Sequence, residues 1–193
     1  VTVICREAWG ARPPAGEFVE HTIARLTVHH TAVILDRTSQ APSRARGHQR
    51  YHQDKGWPDL AYHFLVDDAG HVYEGRPWSA RGDTATEYDP TGHFLVCAEG
   101  DYDRQQVAPA MLASIAGLLA WASLAFGVDP ATIAGHRAYA ATTCPGRSID
   151  AVIADGTLEE MVRDRIAAGA TGPAVLCGAE GAALVAAIEA GTA

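Results

Sequence analysis

The chain lacks a run of apolar residues long enough to cross a bilayer, which takes about 20. Its longest, Met111–Phe126, is rich in small residues (Ala113, Ser114, Ala116, Gly117, Ala120) and reads as a buried helix, so no membrane insertion is expected. It also lacks a Lys/Arg block: the densest basic stretch, Arg44–Arg50, is interrupted by Gly47, His48 and Gln49. Fifteen basic residues against 23 acidic ones leave a net charge of −8. That argues against nucleic acid, because binding phosphates needs a clustered positive surface. Val1–Cys5 has neither the basic flank nor the apolar stretch of a signal peptide; a cleaved leader lying outside this sequence is compatible with that. No internal repeat is present. Asp67-Asp68-Ala69-Gly70 is a turn rather than a calcium loop, since the later liganding positions are missing. What is present, 193 residues with 48% hydrophobic and 20% charged, suits one domain that buries a full core without a disulfide framework.

Strand and helix signals interleave. Arg25–Thr31 reads as a short strand ending in polar residues, and Ser43–Gln53 as a polar helix stopped by Gly56-Trp57-Pro58. Tyr62–Val66 and His71–Glu74, joined by the turn at 67–70, form the clearest hairpin. Residues 75–92 are rich in Gly, Pro, Asp and Thr and read as loop, and Phe94–Ala98 as a buried central strand. Pro109–Phe126 is the main core helix, Ala131–Ala134 a short strand, Gly135–Ser148 a loop, Leu158–Ala167 an amphipathic helix, and Ala182–Glu189 a last helix. The interleaving predicts a layered α/β domain.

Three residues stand out as chemistry: His29 at a strand end, and His136 and Cys144 eight positions apart in one loop region. A catalytic zinc takes three protein ligands and keeps one position open, and mixed His and Cys ligation suits its borderline softness. Each residue alone has an ordinary structural reading: a His pair at a strand end, or a buried Cys before Pro-Gly acting as a small hydrophobe.

The neighbouring motifs change that balance. Arg6-Glu7-Ala8-Trp9-Gly10-Ala11-Arg12, Val28-His29-His30-Thr31-Ala32, Tyr51-His52-Gln53, Gly56–Phe64, Tyr73-Glu74-Gly75-Arg76, and Gly135-His136-Arg137 with Thr142–Gly146 occur in one order. With them the chain resembles the peptidoglycan-recognition-protein and type 2 N-acetylmuramoyl-L-alanine amidase family, which includes phage lysozyme-amidases, over roughly residues 4 to 167. The resemblance implies a single α/β domain with a central mixed β-sheet flanked by helices and one zinc ion at the floor of a surface groove. It implies hydrolysis of the amide between N-acetylmuramic acid and the L-alanine of the stem peptide, with bacterial peptidoglycan or muropeptides as partner. His29, His136 and Cys144 match the zinc ligands. Tyr62 matches a catalytic tyrosine, and Thr142 a position that helps hold the oxyanion, where phage relatives place a lysine.

The chain departs from the pattern in two places. Some relatives carry a general-base Glu where Cys97 stands; Glu99, two residues on, shares its strand face but reads as a solvent-facing residue at a strand end. The family's loop His and Asn that contact substrate are replaced by Thr84 and Asp89, which leaves sugar and peptide preference open. His52, His63 and His71 read as hydrogen-bonding neighbours rather than a fourth ligand, and His30 as packing behind the metal site. Trp57 and Trp78 either line the groove or pack in the core.

Residues 1–169 are expected to form the amidase domain and 170–193 an Ala/Gly-rich extension packed on it, in a monomer. With Cys144 taken as a zinc thiolate and Cys97 buried in a strand, Cys5 and Cys177 remain as a disulfide pair, which suits a secreted or cell-envelope protein. The competing readings are a non-catalytic peptidoglycan-binding module and a zinc hydrolase of another amide or ester. A structural zinc fits less well, since such sites carry four protein ligands.

Overall fold

The computed structural model describes all 193 residues. Its centre is a seven-stranded mixed sheet made of β1 (Thr2–Ile4), β2 (Arg25–His30), β3 (Phe64–Val66), β4 (Val72–Glu74), β5 (His93–Ala98), β6 (Ala134–Gly135) and β7 (Ala174–Leu176). The strands lie in the order β6-β2-β5-β3-β4-β1-β7. Only the β3–β4 hairpin is antiparallel; the other pairs run parallel. Parallel strands covered on both faces read as continuous apolar runs, and every residue of β5 is buried. The hairpin turns where expected. Asp67 accepts the backbone N–H groups of Ala69 and His71 and the Tyr73 hydroxyl, while Gly70 takes a positive φ of 85° that only glycine adopts without strain.

Helices cover both faces: α1 (Arg6–Trp9), α2 (Ala41–Asp54), α3 (Pro109–Phe126), α4 (Arg147–Ala154), α5 (Thr157–Ala167) and α6 (Gly178–Ala190). The alternation of strand side chains divides the core in two. Leu26, Val28, Val66, Phe94 and Val96 meet Met111, Ile115, Leu118 and Leu119 of α3. On the other face Leu65, Tyr73 and Cys97 meet Ala41 and Ala45 of α2 and Val185 and Ile188 of α6. His29 follows Val28 and therefore points to the α2 side, in register with Cys97. With Pro109 and Ala110 the apolar run becomes an 18-residue helix that meets the length and composition of a membrane span. Its fully buried Met111, Ile115, Leu118 and Leu119 give it the packing of a core helix.

Several expectations are corrected. Ala131–Ala134 is not a strand: Pro130–Thr132 forms a helical turn and pairing is confined to Ala134–Gly135. Pro130 presets a helical φ at the first position, and the Asp129 carboxylate caps the turn by accepting Ala131 N–H. The Gly135–Ser148 loop contains another such turn at His136–Ala138 and the start of α4. Glu99 is not solvent-facing but fully buried, because Arg44 and His48 of α2 close over it. The strands β1 and β7 carry no periodic signal in three residues each; their pairing with one another defines them.

That pairing brings the two ends of the chain together. Cys5 and Cys177 are joined as a disulfide with Cα atoms 5.4 Å apart, and α6 packs on α1 and α2. A cross-link closing so long a loop is worth on the order of 4–5 kcal/mol by chain entropy, and measured values often fall short. Non-reducing peptide mapping should give a linked Cys5–Cys177 peptide. Cys177→Ser should lower unfolding free energy by about 2–5 kcal/mol in denaturant titration; an unchanged midpoint would show that the bond does not hold the C-terminal segment.

Candidate metal centre and groove

Strand register assembles the site. The strand β6 pairs with β2 through Thr27 and Ala134, then Val28 and Gly135, so His29 and His136, one residue further on each, emerge side by side with ring centroids 4.7 Å apart. Gly135 is required by close approach: a Cβ there would stand 2.4 Å from Cδ of Pro145, which directly follows Cys144. The Cys144 loop is pinned from three sides. Arg137 N–H donates to the Cys144 carbonyl at 2.9 Å, Cys144 N–H donates to Thr142 Oγ1 at 3.2 Å, and His30 N–H donates to Cys144 Sγ at 3.3 Å. The ligand atoms of His29, His136 and Cys144 lie within 4.8 Å of one another.

The protonation chemistry of these three suits a cation. Burial holds the His29 imidazole well below its ordinary pKa, with His136 adding to the effect, and burial likewise lowers His136. Both rings are therefore neutral, as metal ligation requires. Tyr88 Oη lies 3.3 Å from His29 Nε2, and Thr86 Oγ1 lies 2.8 Å from His136 Nε2. These contacts occupy the two Nε2 atoms, and His29 Nδ1 meets Cys144 Sγ at 3.6 Å. Burial pushes the Cys144 thiol up to about 12, so a thiolate there needs a positive charge beside it. A metal ion supplies that charge. The donor set fits one ion held by two imidazoles and a thiolate.

All three residues line a groove of about 560 Å³. One wall is α2 with His48, Tyr51, His52 and Lys55; another is the loop Asp83–Thr86; Tyr62 and Thr142 also line it. The Tyr62 ring is 5.2 Å from that of His29, and burial raises its phenol well above the usual value, which keeps it a hydrogen-bond donor. Thr142 uses an oxygen lone pair on Cys144 N–H, so its own O–H is free to donate.

The neighbouring histidines are hydrogen-bonding residues, as expected. His52 Nδ1 accepts Ala61 N–H, His63 bridges Leu95 N–H and the Ala80 carbonyl, and His71 pairs with Asp67. His30 packs behind the site, its Nδ1 accepting Tyr102 N–H. Trp57 lines the groove, whereas Trp78 is neither in the groove nor in the core: it lies 46% exposed against Phe126, with ring centroids 4.9 Å apart. Thr84 lines the groove, but Asp89 turns to Thr91. Nothing in the sequence marks Thr86 or His48 as part of the site. Only Tyr88, an aromatic in an otherwise polar loop, carried a signal there.

Fold and site together define a single-domain α/β protein with a candidate metal centre open to a ligand groove. Comparison with known proteins narrows the class: the chain belongs to the N-acetylmuramoyl-L-alanine amidase family of the type 2 kind, whose model matches residues 20–147. It is 32% identical over 153 residues to peptidoglycan-recognition protein SC2 of Drosophila melanogaster, covering 77% of this chain and 83% of that protein. It is 34% identical over 154 residues to the N-acetylmuramoyl-L-alanine amidase of Homo sapiens, covering 75% of this chain but 26% of that protein. Among solved structures it resembles the ectodomain complex of peptidoglycan recognition proteins LCa and LCx with bound tracheal cytotoxin. That match has a TM-score of 0.71 and 26% identity, and covers 79% of this chain and 95% of the other.

The outward contacts of the two histidines give a direct test. Tyr88→Phe and Thr86→Val should each weaken binding of a divalent metal by about 10- to 100-fold, the usual cost of losing a residue that orients a ligand, with the fold unchanged. Competition titration against a chromogenic chelator measures it; wild-type affinity in both variants would remove these hydroxyls from the site.

Proposed function

We propose that the protein is a zinc-dependent N-acetylmuramoyl-L-alanine amidase, which hydrolyses the amide between N-acetylmuramic acid and L-alanine in bacterial peptidoglycan. The observation that carries this reading is the convergence of His29, His136 and Cys144 within 4.8 Å on a groove that also presents Tyr62 and Thr142. His29, His136 and Cys144 would hold the zinc. The ion contributes Lewis-acid polarisation of a carbonyl and acidification of water.

The protein's own residues do the rest. Attack on an amide builds negative charge on the carbonyl oxygen, and donors aimed at that charge lower the barrier. The hydroxyls of Tyr62 and Thr142 are the donors, the first kept protonated by burial and the second freed by its backbone contact. The groove walls hold the glycan and peptide on either side of the bond. Residues 1–169 form the amidase domain in this reading, with 170–193 as its extension.

The relative named as an amidase supports hydrolysis. Those named as recognition proteins, and the solved complexes with tracheal cytotoxin, a monomeric peptidoglycan, support binding of muropeptides as the coarser reading. The complete ligand set of this chain favours the enzyme over a binding module. The Cys5–Cys177 disulfide supports a secreted or envelope location, because such bonds persist in oxidising compartments.

Incubated with peptidoglycan, the protein should release stem peptides with a free L-alanine amino terminus, detected by mass spectrometry. Chelation should abolish the release and added zinc restore it. New reducing ends in place of free amines would overturn the reading.

Tyr62→Phe should retain zinc and lose on the order of 10²–10³ in kcat, the cost of one oxyanion donor. A wild-type rate would take Tyr62 out of the mechanism.

A further inference from the structure

Beside the metal centre lies a carboxylate that the proposed chemistry leaves unused. Glu99 is fully buried, and neither of its side-chain oxygens has a well-directed hydrogen bond. Oε2 is 2.9 Å from His48 Nε2, and Oε1 is 3.8 Å from Arg44 Nη1. A buried charge with so little compensation is costly, and structures that keep such a group tend to use it. His48 is the residue through which Glu99 reaches the groove. Its side chain is 18% exposed and lines the groove from α2, while its Nε2 is sealed against the carboxylate. Nδ1 has no partner in the protein.

Position ties this pair to the metal centre. Cys97 is the register partner of His29, and Glu99 lies two residues further along, on the same face. That is about 7 Å along the sheet, the span of roughly two extended peptide residues. In the tautomer that carries its proton on Nε2, the nitrogen on the Glu99 side, Nδ1 offers a lone pair.

We propose that His48, oriented by the buried Glu99, is a substrate-positioning residue whose Nδ1 accepts an amide N–H of the ligand held in the same groove as the metal centre. The inference rests on the amidase reading for its substrate class. Two parts of a muropeptide carry that chemistry, the backbone of the stem peptide and the acetamido groups of the glycan. His48 makes this contact in ground-state binding and takes no part in bond cleavage.

The test uses the zinc-loaded full chain and two ligands that it cannot cut: free stem peptide and the disaccharide without peptide. Calorimetry should show His48→Ala weakening one of them by about 3- to 10-fold, the worth of one hydrogen bond; the ligand affected identifies the source of the N–H. In turnover of intact muropeptide KM should rise by a similar factor, with kcat and zinc content held at wild-type levels. His48→Asn, whose Oδ1 replaces Nδ1, should recover most of the affinity. Glu99→Gln should weaken binding in the same direction, because the ring loses the charge that orients it. Wild-type affinity of His48→Ala for both ligands together with an unchanged KM would overturn the proposal. A wild-type protein that binds these ligands in a His48-dependent way but releases no peptide would overturn the amidase reading alone.

Discussion

Parallel pairing of β2 with β6 on one side and β5 on the other is the constraint on which the rest of the molecule depends. Neighbouring parallel strands end at the same sheet edge, so residues far apart in the chain emerge together there. Val28 opposite Gly135 delivers His29 beside His136. His29 opposite Cys97 sets the face on which Glu99 and α2 meet. Slipping either pair by one residue would turn each of these side chains to the opposite face, sending His29 into the α3 core and a valine into the groove. The apolar alternation that packs Leu26, Val28, Phe94 and Val96 against α3 therefore also holds the candidate metal centre in place.

A site so close to the core has few ways to carry charge. Its two imidazoles stay neutral and its thiol resists ionisation, each because burial penalises the charged form. The groups that hold the rings from outside are correspondingly neutral hydroxyls, from Tyr88 and Thr86. A carboxylate in those places would leave an uncompensated charge whenever the centre stood without a cation. The buried carboxylate of Glu99 lies instead against Arg44 and His48 of α2.

Much of this is legible in the linear order of residues. The hairpin at 67–70, the apolar β5 and the 18-residue α3 follow from local pattern, because turn chemistry and burial on one or both faces leave a periodic trace. The motifs around His29, Tyr62 and Cys144 identify the family and hence the candidate ligand set. Three-residue strands leave no such trace: β1 and β7 exist by virtue of each other and of β4. The burial of Glu99 leaves no trace for a similar reason. A carboxylate at a strand end is ordinarily solvated, and only the approach of α2 from elsewhere in the chain encloses it.

The sequence by itself determined the family, the identity of the three candidate ligands, the pairing of Cys5 with Cys177 and the alternation that builds two cores. The alternation is a matter of residue type and spacing; the ligands follow from the ordered motifs that carry the family, and the cysteine pair is what remains once Cys144 is set aside as a ligand. Tertiary structure alone decided which nitrogen of each histidine faces the centre, that the polar 83–88 loop supplies the hydroxyls behind them, and that His48 and Glu99 form a pair on the groove wall. Those outcomes depend on contacts between side chains 50 or more residues apart. The strength and direction of such contacts are set by distance in space, which residue order carries only through the fold.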